Sequence, residues 1–236
     1  MKKFKLNFII IALLSFTFKG FSQNLDEIIS KHIEAIGGRA NWEKINSLRT
    51  ESVMKAQGAE IKFTGIILNK KASRSDIFVM GMKGFNILTT NQGWNFAPWQ
   101  GQAKSEAMTE DDVKNSQDEL EILEELMTYK EKGNSIDYYG MDDIDGTECH
   151  KIKMTTTQDK EITFYIDPSN YMIIKRTKKV KSNGQENEMS TYFSDYKKLP
   201  EGIVFPMSSS SGWSESEITK LEINPKIEES LFKPEK

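Results

Sequence analysis

This sequence predicts a mainly β fold, one antiparallel sheet with a few helices laid against it, and three observations carry that prediction. The first is the stretch 136–181, a chain of short apolar or alternating runs broken at Asp145-Gly146, Gln158-Asp159 and Asp167-Pro168-Ser169-Asn170. His150, Ile152 and Met154 recur with period two, as do Ile162, Phe164 and Ile166, which marks strands with one face turned to a core. Connections this short leave no room for a crossover helix, so the runs pair as an antiparallel meander. The second is that similar runs precede and follow this stretch. The third is that only two long segments show helical spacing.

The first 22 residues stand apart from the fold. Lys2, Lys3 and Lys5 give a basic start, Phe8 to Leu14 an apolar centre, and Gly20-Phe21-Ser22 a small-x-small cleavage site. This is the pattern of a secretory signal peptide, and its apolar run is too short for an ordinary membrane span. Residues 23–236 then form a single domain, exported and, in a two-membrane bacterium, periplasmic. The leader holds four of the 32 Lys and Arg and no acid, so the mature chain carries 28 basic against 35 acidic residues, a net charge of −7. Its basic cluster (Lys175, Arg176, Lys178, Lys179, Lys181) reads as a solvated strand edge, with a membrane-headgroup contact as the alternative, and the acidic balance argues against a nucleic-acid partner. Cys149 is the one cysteine, so no internal disulfide supports the fold and its apolar core must suffice.

From the amino end, Leu25, Ile28, Ile29, Ile33 and Ile36 recur at three- and four-residue spacing. They predict a helix over 25–37, capped by Asn24, ended by Gly37-Gly38, with His32 on the border of its apolar face. A second helical piece covers 39–45 with Trp42 turned inward. Strands follow: a run ending at Gln57-Gly58, another through Ile61, Phe63 and Ile67, then 75–82, 85–90 and 93–99. Ile77 and Val79 point opposite to Phe78, Met80 and Met82, and such double-sided apolarity requires both surfaces of a sheet to be covered. Thr109 before Glu110-Asp111-Asp112 caps a helix over 109–132, whose acidic residues Asp118, Glu119, Glu121, Glu124 and Glu125 read as a solvated face. After the meander come strands 189–196, 203–207 and 213–223, with 208–212 a turn.

Catalytic groups are scarce. His32 and His150 have no surrounding motif, and no nucleophile elbow, Gly-rich phosphate loop or His-Glu-x-x-His is present. Cys149 and His150 are adjacent on a strand and point to opposite faces, so Cys149 reads as a small core residue. The run 142–146 resembles a calcium loop but lacks its first and last ligands, and it is read as an Asp-rich hairpin turn. Neither a metal nor a cofactor is expected, and the chain is read as non-enzymatic. What it has in excess is adaptable apolar side chains on strands: Phe63, Phe78, Met80, Met82, Trp94, Phe96, Trp99 and Phe164. A sheet of about ten strands tends to curl, and two helices cover only part of it. These residues then either line an apolar cavity for a flexible hydrocarbon or pack on the helices as an ordinary core.

Several of these features together resemble a known family. An exported chain opens on an amphipathic helix, runs into strands, places Lys70-Lys71 before the third, and continues through Asn91-Gln92-Gly93-Trp94-Asn95-Phe96-Ala97-Pro98 to an acidic helix. It closes on Leu231-Phe232-Lys233-Pro234. This resembles the LolA/LolB-like outer-membrane lipoprotein-sorting family, whose carriers have an Asp-Gly-x-x-x-Trp-x-Tyr-x-Pro strand where residues 91–98 stand, and a closing Phe-to-Pro segment. The resemblance implies an unclosed antiparallel β-barrel with helices as a lid over its concave face, and a cavity that accepts acyl chains of lipids or lipoproteins. Its cavity wall would be Phe63, Phe78, Met80, Trp94, Phe96, Trp99 and Phe164. The carriers' Arg-Pro pair is replaced by Lys71-Ala72, and Lys71 would be the polar group at the cavity mouth; a lysine lacks the arginine's planar fork. The implied role is a monomeric periplasmic carrier or chaperone of a lipid or lipoprotein, with an envelope protein as a possible partner. The alternative is a non-catalytic interaction module with a filled core.

Overall fold

The computed structural model describes residues 19–182 and 185–234. The first strands are β1 (Ser47–Ala56), β2 (Ala59–Leu68), β3 (Ala72–Val79), β4 (Met82–Thr89), β5 (Gly93–Phe96) and β6 (Glu106–Ala107). The remainder are β7 (Ser135–Ile144), β8 (Thr147–Thr155), β9 (Glu161–Ile166), β10 (Ile173–Ser182), β11 (Gln185–Lys198), β12 (Val204–Ser211) and β13 (Ser214–Ile223). All thirteen join in one sheet, in the order β6-β5-β4-β3-β2-β1-β13-β12-β11-β10-β9-β8-β7. Nearly every strand pairs with its neighbour in sequence, and the ends β6 and β7 do not meet, so the sheet is an unclosed antiparallel one. Four helices accompany it among the described residues: α1 (Lys19–Ala35), α2 (Arg39–Trp42), α3 (Glu110–Asn115) and α4 (Glu125–Thr128).

One face of the sheet is covered by these helices. Ile28 and Ile29 of α1 and Leu126 of α4 pack on Ile152, Met154, Ile162, Phe164 and Ile166 from β8 and β9. A second cluster joins Ile36, Trp42, Ile45, Ile122 and Met127 to Leu48 and Ile203. The opposite face has its own cover at one end. There the chain after β13 runs back across the sheet, and Phe232 packs with Ile66, Ala72, Phe85 and Ile87. Arg74 holds this strap through Nη1 to the Leu231 carbonyl at 2.9 Å while Nε and Nη2 donate to Asp76 at 2.9 and 2.7 Å.

The helix read over 25–37 begins upstream, at Lys19, so Asn24 lies within α1 rather than capping it. The leader read over residues 1–22 lies mostly outside the described residues, and 19–22 form the start of α1. The helix read over 109–132 is broken into α3, a 3₁₀ turn over Gln117–Leu120 and α4. Tertiary hydrogen bonds compete with the helix here: Lys70 N–H donates to the Leu120 carbonyl at 2.7 Å, and Ile122 N–H donates to Asn69 Oδ1 at 3.2 Å. Thr109 does cap α3, accepting from Asp112 N–H at 3.1 Å. The serines 208–211 belong to β12 and not to a turn, which falls at Gly212-Trp213. No described helix is long and apolar enough to cross a membrane.

The end of α1 is seated by close backbone approach. Gly37 has φ +103, and a Cβ there would lie 2.1 Å from the Gly202 carbonyl oxygen. Val204 N–H donates to the Ile36 carbonyl at 2.9 Å, tying helix to sheet at this point. Gly37→Ala is expected to lower unfolding free energy by about 2 kcal/mol or more, since it adds both backbone strain and a clash. Chemical denaturation measures this, and a change within about 0.5 kcal/mol, the range of an ordinary surface substitution, would contradict the seating.

Candidate functional site

A β-bulge decides which side chains face the helices. Ile173 pairs with Ile166, but Lys175 pairs with Tyr165, so β10 carries one extra residue between them. Past the bulge the alternation is reversed, and Arg176 and Lys178, opposite Phe164 and Ile162, lie on the helix-covered face. The basic cluster read as a solvated edge is therefore split, and β10 lies inside the sheet between β9 and β11. Arg176 Nη1 reaches both oxygens of Glu125 at 3.1 and 3.2 Å, and Lys178 Nζ lies 3.0 Å from Glu125 Oε1. Burial works against ionising Glu125, but the two cations outweigh it and hold its carboxyl below the usual range. The acidic face read as solvated is tied here to the sheet.

Beside it lies a second buried pair. His32 is 1 % exposed, not at the border of its helix's apolar face. Its Nδ1 lies 2.7 Å from the Tyr171 carbonyl, which can only accept, and its Nε2 lies 2.6 Å from Glu124 Oε2. Burial opposes the charged imidazole, yet the Glu124 carboxylate and the two hydrogen bonds prevail and raise the His32 pKa. Glu124 Oε1 is buried without a hydrogen-bond partner among the described residues, an acceptor left open.

These charges border a cavity of about 400 Å³ between α1, the 117–125 segment and β10 to β12. Its apolar wall includes Trp42, Ile122, Leu123, Phe193, Tyr196 and Phe205. Trp42 is fixed by its Nε1, which donates to the Ile36 carbonyl at 2.8 Å, and Tyr196 by its hydroxyl, which donates to the Ile173 carbonyl at 2.5 Å. A second, wider cleft of about 840 Å³ opens over β2 to β5 on the same face. Glu119 borders both.

The residues read as cavity wall are dispersed. Trp99 borders the wider cleft, its ring lying where a side chain at Gly84 would otherwise stand, 2.6 Å from the position of a Cβ. Phe63 pairs with Ile77, whose alternation is that of the covered face, but borders neither cavity. Phe164 is fully buried beneath α1 and α4. Trp94 and Phe96 pack on the opposite face with Phe85 and Ile87, under the carboxy-terminal strap. Phe78 is on that face too, 47 % exposed. Met80 stands in the β3–β4 turn with φ +52 and is 79 % exposed. Lys71 is exposed in the β2–β3 turn and borders neither cavity. Phe193 and Phe205, which do line the first cavity, sit in strands that were legible, but nothing in the sequence marks the bulge that aims Arg176 at it.

Cys149 and His150 do point apart: Cys149 packs with Ile144 and Tyr165, while His150 lies against Tyr138 and Tyr171. Burial and then the acidic neighbours, Asp167 foremost, push the Cys149 thiol up to about 11. The run 142–146 is a hairpin turn in which Gly146 N–H donates to Asp143 Oδ1 at 3.2 Å.

Comparison with protein-family models finds no match, and comparison with curated proteins finds none either. Solved structures do match. A Vibrio parahaemolyticus domain described as an outer membrane lipoprotein-sorting protein is 12 % identical, with a TM-score of 0.53, over 87 % of this chain and 94 % of that one. A LolA superfamily protein from Nitrosomonas europaea is 9 % identical, with a TM-score of 0.53, over 87 % and 96 %. A DUF1329 family protein from Desulfovibrio piger is 11 % identical, with a TM-score of 0.55, over 88 % and 96 %. The chain therefore has the LolA-like fold that its sequence resembles.

The two imidazoles are expected to titrate on opposite sides of the ordinary histidine value of about 6.5. His32 titrates above it, while burial and Lys31 hold His150 below it. Because the folded His32 pKa is raised, its stabilising contribution is complete below about 6.5 and is lost as pH rises through the folded value. NMR titration of both rings tests the order, and His32 titrating at or below His150 would contradict the buried pair.

Proposed function

We propose that this chain is an exported, non-enzymatic carrier or chaperone that holds the acyl chain of a lipid or lipoprotein in the cavity between α1, the 117–125 segment and β10 to β12. The observation that carries this reading is that apolar cavity of about 400 Å³, left unfilled between helices and sheet. Its size lies within the range of roughly 300–1,000 Å³ usual for small-molecule sites. Each methylene buried there contributes about 0.8 kcal/mol, so a chain of ten or so carbons suffices for useful affinity. The LolA-like fold supports the reading, and the leader pattern over residues 1–22 supports the periplasm as its place of work. The wall assigned here is Trp42, Ile122, Leu123, Phe193 and Phe205, in place of Phe63, Phe78, Met80, Trp94, Phe96 and Phe164.

Leu123→Trp puts an indole into the cavity and is expected to weaken binding of a fluorescent fatty acid about tenfold or more, the loss of one to two buried methylenes' worth of contact. Phe78→Ala, on the other face, is expected to leave it within about twofold. Protein purified from the cell envelope should carry lipid detectable by native mass spectrometry. No retained lipid and no fatty-acid binding would overturn the proposal, and a single co-purifying protein in their place would favour an interaction module.

A further inference from the structure

The wider cleft over β2 to β5 differs in chemistry from the cavity beside it. Its lining mixes apolar residues, among them Ile67, Ile77, Leu88 and Met108, with a polar group of Ser73, Ser75, Asn86 and Asn95 beside Gly65. The register puts them side by side, Gly65 opposite Ser75, Ser75 opposite Asn86, and Asn86 opposite Asn95. These four polar side chains make no hydrogen bond to any described residue, although each can both donate and accept. At one side Trp99 lies over Gly84, where any side chain would strike its ring. The cleft offers no cation: the Arg74 guanidinium is turned to the opposite face, bound to Asp76 and the Leu231 carbonyl. Besides Arg74, the charged residue at its border among the described residues is Glu119, which also borders the acyl cavity.

Unengaged amides and hydroxyls in a row, beside an aromatic ring and without a positive charge, suit a neutral ligand rich in hydroxyl groups. A phosphate or sulfate is disfavoured, since no cation in the cleft offsets its charge and the Glu119 carboxylate would repel it. We infer that this cleft binds the polar part of an amphiphile, a neutral polyol or sugar headgroup, while its tail enters the adjoining cavity. The inference rests on the acyl-chain reading for the tail and adds to it the class of headgroup. Hydroxyls of the headgroup exchange hydrogen bonds with Ser75, Asn86 and Asn95, and its C–H face lies on Trp99.

The test compares n-octyl glucoside, 1-octanol and n-octyl sulfate, all below their aggregation limits, binding to the purified mature chain by calorimetry. The glucoside is expected to bind about tenfold more tightly than the alcohol, the effect of two or so hydrogen bonds. In Asn86→Leu, a change at an exposed position, that advantage should shrink to about twofold with the alcohol unaffected. Equal binding of glucoside and alcohol, an advantage that persists in Asn86→Leu, or a preference for the sulfate would each overturn the inference while leaving the tail cavity standing. Glucoside binding without alcohol binding would sustain the headgroup site and count against the acyl cavity. Binding of none of the three would overturn both.

Discussion

The docking of α1 against the sheet is the interaction on which the remainder of the structure depends. An open thirteen-stranded sheet exposes two broad faces, and the described helices that could cover them are few and mostly short. Ile28 and Ile29 give α1 its grip on β8 to β10, while His32, buried on the same helix, ties it to the Tyr171 turn and to Glu124. The segment 117–128 is thereby held above the sheet from two sides, by His32 at Glu124 and by Arg176 at Glu125. A buried charged pair is costly to form, so these contacts fix position more than they add stability. The space beneath is left open because no described side chain reaches across it.

Both faces of the strands near the amino end carry apolar residues because both are covered, one by helices and the other by the carboxy-terminal strap. That dual cover explains why Trp94 and Phe96 look like ligand-binding residues and are not placed as such. They belong to an ordinary packed layer with Phe85 and Phe232. The side that faces Trp99 sets serines, asparagines and glycines among its apolar residues, and where these small side chains stand a wide cleft survives.

Much of the fold was legible in the sequence, and the reasons are local. Period-two runs and short turn signals mark the meander and most of the other strands, and even the opposed directions of Ile77 and Phe78 were readable. What period two does not tell is which of the two faces a helix will cover. Phe78 and Met80 read as wall residues because they are adaptable apolar side chains on strands, but which face is covered is set by the docking of α1 and the strap, both long-range contacts. The long helix expected over 109–132 failed for a related reason: backbone hydrogen bonds to the β2–β3 turn outweighed its periodicity. The bulge between Ile173 and Lys175 left no signal, so Arg176 and Lys178 read as solvated.

Intermolecular NOEs from a uniformly ¹³C-labelled fatty acid to the protein would address the central claim most directly. The account predicts contacts from the alkyl chain to the methyls of Ile122 and Leu123 and to the rings of Phe193 and Phe205. Contacts confined to exposed side chains such as Phe78, Met80 or Trp213, with none to those four, would contradict it.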